Sequence, residues 1–71
     1  MNQGQKTPTF SDELKALEHQ ISQEELAIQK LKTYQHQVQD ADLKKIIGSM
    51  KEKHQEHYST LMRHFKARSM Q

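Results

Sequence analysis

The apolar residues of the N-terminal half keep a strict rhythm. Leu14, Leu17, Ile21, Ile28, Leu31 and Val38 follow one another in steps of three and four, with Glu24 and Gln35 filling the two missing positions of the series. That rhythm is the seam of an amphipathic helix, one stripe repeating every seven residues. No glycine or proline interrupts Ser11 to Val38, so the pattern predicts one helix over about 11–38, roughly 40 Å long at 1.5 Å per residue. Its start is marked by Thr9-Phe10-Ser11-Asp12. Thr9 with Asp12 three residues on resembles a capping box, and Ser11 is an alternative cap. Asp12 and Glu13 suit the positive end of the helix dipole.

A second amphipathic pattern follows "QDADLKK", the only internal break. Asp40 is a good N-cap and Asp42 falls in the first turn. Leu43, Ile46, Ile47, Met50, His54, His57, Tyr58, Leu61, Met62 and Phe65 then occupy one broad face. This predicts a helix over about 41–66, with residues 67–71 frayed. Gly48 lies inside it, at a cost of about 1 kcal/mol relative to alanine; a tolerated glycine and a close helix approach beside Ser49 are both compatible. Gly4, Pro8 and their polar neighbours make residues 1–9 a disordered segment on this reading. Met50, Met62, Tyr34, Tyr58 and Phe65 are expected to fill the core or its edge.

Two long helices joined by a short break fold back as an antiparallel hairpin. A hairpin closes only one line of contact. The expected fold class is therefore all-α, a helical hairpin that completes a four-helix bundle by homodimerisation. Composition points the same way. The chain has 71 residues, of which 32% are hydrophobic, and a domain that small rarely stabilises itself through one core.

The remaining composition removes function classes. There is no cysteine, so no disulfide staple and no thiolate metal site. No run of about 18 apolar residues exists to span a membrane, and the first ten residues lack the apolar core of a secretory signal. Eleven basic and nine acidic residues give a net charge of +2 with the signs interspersed, which is a solvated helix surface rather than a nucleic-acid face. No nucleophile with base and orienter, and no glycine-rich phosphate loop, is present. The expected compartment is cytoplasmic or, through the resemblance below, spore-associated.

Five histidines remain to be explained. With the turn centred near residue 39, Glu24 lies fifteen residues before it and His54 fifteen after, with His57 one turn further on the same face. One carboxylate and two imidazoles thus converge on one level of otherwise apolar seams. A lone buried carboxylate is costly unless paired. Imidazole with carboxylate suits a transition metal such as iron, zinc or manganese, which makes Glu24, His54 and His57 the candidate metal ligands. A Glu–His layer that only fixes register, and histidines solvated at the seam edge, remain open readings. His19 and His36 read as helix surface, and His64 has no evident role.

The stretch "QEELAIQKLKTYQHQVQDADLKKIIGSMKEKHQEHYSTLM" resembles the ferritin-like and rubrerythrin-like superfamily. Glu24 with Ala27 and Ile28 matches its ligand-bearing helix. Asp40, Leu43 and Lys44 match the start of the next helix, and His57 matches the histidine of its Glu-x-x-His motif. His54 stands where that motif has glutamate. The resemblance is to short helical-hairpin branches: spore coat proteins of the coat F type first, through stretches such as Glu52-Lys53-His54, and encapsulated ferritins second. It implies a non-catalytic structural or assembly protein acting within a larger protein assembly. The alternatives are a dimeric iron-binding mini-ferritin, whose ferroxidase chemistry is the only plausible activity, and a helical adaptor for another protein.

Overall fold

The computed structural model describes Thr7 and residues 9–69. Two helices make up the described chain, α1 over Phe10–Gln37 and α2 over Ala41–Ser69, packed against each other as a hairpin. The helices and the turn fall within a residue of the expected positions, except that α2 runs on to Ser69 instead of fraying after 66. Lys66 and Arg68 occupy its last turn, where cations favour the negative end of the dipole. Arg68 Nη1 donates to the His64 carbonyl at 3.2 Å, which satisfies one of the acceptors that a helix end leaves open. The expected disordered head lies outside the described residues apart from Thr7 and Thr9.

Both helix starts are capped by side chains. Asp12 N–H donates to Thr9 Oγ1 at 3.0 Å and Thr9 N–H donates to Asp12 Oδ2 at 3.1 Å, a reciprocal capping box. Thr9, not Ser11, is therefore the cap. At the turn, Val38 is extended and its N–H donates back to Tyr34 O at 3.0 Å, closing α1. Asp40 Oδ1 accepts from Leu43 N–H at 2.8 Å and opens α2.

The seam of α1 is the expected one: Leu14, Leu17, Ile21, Glu24, Ile28, Leu31, Gln35 and Val38 are all half-buried. The broad face of α2 divides in two. Ile47, His54, Tyr58, Leu61 and Phe65 meet α1, together with Lys44 and Lys51. Leu43, Ile46, Met50 and His57 are exposed. Met50 is thus not a core residue, and Tyr34 on α1 is exposed at the edge of the seam, one of the two places expected for it. The reason is geometric: a single partner helix covers one stripe, and the flanking positions stay open. Among the described residues only Ile47 is buried, at 9% exposure.

Beside the turn, Gln35 ties the helices together. Its Nε2 donates to Lys44 O at 3.3 Å and its Oε1 accepts from Lys51 Nζ at 3.0 Å. Lys44 Nζ donates to the Gln35 carbonyl at 2.9 Å, so the second helix supplies a cation to the C-terminal end of the first. Gly48 makes room for this knot, since a Cβ there would lie 2.8 Å from Gln35 Nε2. Close approach, by a side chain rather than by the backbone, is thus what Gly48 permits.

Two outcomes follow from the caps. Asp40→Ala removes the acceptor for Leu43 N–H and is expected to cost about 1 kcal/mol, read as a lower urea midpoint with unchanged slope. The Thr9 backbone N–H, and then the Thr9 hydroxyl, hold the Asp12 carboxyl below its ordinary value of 3.8. A depressed folded-state value stabilises above the unfolded value and fades as pH falls through the folded one. The Asp12 carboxyl resonance should therefore titrate below 3.8, and its contribution, present at neutral pH, should disappear in that acidic range and be missing at all pH values in Asp12→Asn.

Candidate metal centre

Glu24 sits on the seam of α1 because it keeps the three–four step between Ile21 and Ile28. His54 holds the matching position on α2, between Lys51 and Tyr58. The fold brings them into contact: His54 Nδ1 lies 2.5 Å from Glu24 Oε1. The carboxylate oxygen accepts, so Nδ1 carries the hydrogen. His57, one turn further on, approaches from the open side with Nδ1 3.7 Å from Glu24 Oε2. The two imidazoles stand edge to face, centroids 5.8 Å apart at 79°. All three residues predicted from the sequence thus meet at one level.

Exposure grades the set. The Glu24 side chain is 16% exposed, His54 33% and His57 61%. The carboxylate is taken largely out of water and hydrogen-bonded by His54, while His57 stands on the open outer side, beyond hydrogen-bond reach. A cavity of about 300 Å³ opens there, lined by Gln20, Glu24, His57, Thr60 and Leu61.

The arrangement supports two chemistries. With a proton between Glu24 and His54 it is a hydrogen-bonded polar layer within an apolar seam. With a divalent cation in place of that proton, the same atoms are ligands. One donor atom from each residue can be chosen so that all lie within 4.8 Å of one another. Metal bonds of about 2.0–2.2 Å at tetrahedral angles need donors about 3.3 Å apart, a change within reach of side-chain rotation. Three protein donors leave at least one coordination position for water or a further ligand. Proton and metal compete for the same lone pairs.

The other histidines stand apart. His19 and His36 are exposed on the outside of α1. His64 lines a groove at the open end of the hairpin with Glu13, Ala16, Leu17, Gln20 and Arg68, and its Nδ1 lies 3.4 Å from Arg68 Nη1. Reading α2 as one broad apolar face hides this groove; the seven-residue step from His57 to His64 is the signal that would reveal it. Compared with protein-family models, with characterised proteins and with solved structures, the chain finds no match.

Glu24→Leu separates the two chemistries. Leucine at this seam position exchanges a desolvated carboxylate for apolar packing, and His54 is open enough to hydrate. The variant is expected to hold its thermal midpoint in chelator, apolar packing offsetting the lost His54 hydrogen bond, and to lose any rise in midpoint on adding zinc or manganese.

Proposed function

We propose that this hairpin is a non-catalytic assembly module that pairs with a second copy of itself into a four-helix bundle. The observation that carries this reading is the imbalance of its surface. Ile47 alone is buried among the described residues, while Tyr34, Leu43, Ile46 and Met50 are exposed around the turn end. Isolated exposed apolar residues are ordinary; a contiguous group on a chain without an enclosed core marks an interaction surface. Among the described residues no helix is long and apolar enough to cross a membrane, so that group is not explained by a transmembrane helix there.

Metal binding is the second property we assign, on the strength of the Glu24–His54–His57 cluster. The ion would be divalent and of the zinc, iron or manganese kind, held by one carboxylate and two imidazoles. The ferritin-like resemblance supports the bundle and favours the structural spore-coat kind over an iron-oxidising mini-ferritin. His54 in the place of a glutamate removes the bridging carboxylate on which two-iron oxidation depends. A cytoplasmic or spore-associated location belongs to the same proposal.

Sedimentation and elemental analysis on one tag-free sample test both properties. The expected result is a dimer, converted to a folded monomer by Met50→Asp, with near-stoichiometric metal that His57→Ala removes. A chain that stays monomeric at concentrations of about 100 μM would end the self-association reading and favour an adaptor for another protein. A stable dimer without metal after incubation with zinc, manganese and iron would leave a purely structural Glu–His layer.

A further inference from the structure

Four residues of α1 and four of α2 edge the open face of the hairpin in register. Glu13, Gln20, Ala27 and Tyr34 are seven apart along α1, and Leu43, Met50, His57 and His64 are seven apart along α2, so each set forms one stripe. All eight are exposed except Ala27, which is half-buried. The stripes are level with each other, because Tyr34 and Leu43, Ala27 and Met50, Gln20 and His57, and Glu13 and His64 are each equidistant from the turn. Two of these pairs share a groove: Glu13 with His64 at the open end, and Gln20 with His57 at the middle.

Each level pairs compatible chemistry across the two stripes. Tyr34 and Leu43 are both large and apolar. Ala27 is small where Met50 is long and flexible, a knob and its hole. Gln20 and His57 both carry hydrogen-bonding groups, and Glu13 and His64 are acid and base with Arg68 alongside. Within one hairpin the polar pairs already flank the same grooves, while Tyr34, Leu43 and Met50 at the turn end stay exposed.

The geometry points to a dimer in which each α1 stripe lies on the α2 stripe of the other copy, turn over turn, about a two-fold axis parallel to the rods. This rests on the self-association proposed above and does not depend on metal. With the rods aligned and overlapping along their full length, two two-fold arrangements bring two open faces together. With the axis along the rods, every level meets its compatible partner: Tyr34 meets the partner's Leu43, Ala27 the partner's Met50, Gln20 the partner's His57 and Glu13 the partner's His64. With the axis across the rods at the level of Gln20 to Ala27, α1 lies on α1 and α2 on α2, turn over open end. Tyr34 would then meet the partner's Glu13, Met50 the partner's His57 and Leu43 the partner's His64. Each of those contacts sets an apolar group against a polar one.

The chain has no cysteine, so single introduced thiols report the arrangement directly. Chains carrying only Ala27→Cys are mixed with chains carrying only Met50→Cys, equilibrated in reductant and then oxidised. A disulfide-linked dimer of the two different chains is expected to dominate, and Tyr34→Cys with Leu43→Cys should behave alike, each disulfide requiring Cα atoms within about 7 Å. A disulfide between Ala27→Cys and Gln20→Cys chains instead would overturn the turn-over-turn arrangement while leaving self-association intact. So would a sample that sediments as a dimer yet forms neither the Ala27–Met50 nor the Tyr34–Leu43 link. A monomer by sedimentation would overturn this arrangement together with the reading it rests on.

Discussion

Two helices touch along a line, and a line cannot enclose anything. That constraint governs this molecule. The seam from Leu14 to Val38 on α1 meets the seam from Lys44 to Arg68 on α2, yet the only buried residue described is Ile47. Everything else that a larger domain would enclose lies beside the seam instead. The polar groups found within the contact line follow from the same limit. Lys44 and Lys51 are tolerated there because their amines reach Gln35 atoms at the rim. Long basic side chains can cover apolar surface with their stems while the charge stays wet.

Glu24 is the exception that the seam cannot excuse. It is short, acidic and mostly withdrawn from water, so its two imidazole neighbours are a requirement rather than an ornament. It lies half-way along α1, at the level where α2 presents His54 and His57.

Much of this was legible in the residues. The three–four steps fixed α1 and its facing stripe, Asp40 fixed the turn, and equal spacing from the turn brought Glu24 to His54. Those features depend on local chemistry and on the helical rise, which a sequence carries directly. What the sequence obscured depends on how wide a stripe one partner covers. The apolar residues of α2 spread over two adjacent stripes, and nothing local says which of them meets α1. Met50 therefore reads as a core residue in the sequence and lies outside. Gly48 was ambiguous for a related reason: its neighbour is Gln35, thirteen residues away. The function itself is least legible, because a Glu–His–His group is compatible with a proton or a metal.

The capped start of α1 and the last turn of α2 lie at the same pole, as the groove shared by Glu13 and Arg68 requires. The opposite pole is a three-residue turn with no free end. The hairpin is therefore a polar object: the described chain enters α1 and leaves α2 at one end, and the turn stands alone at the other. A stack of such units would have two unlike surfaces.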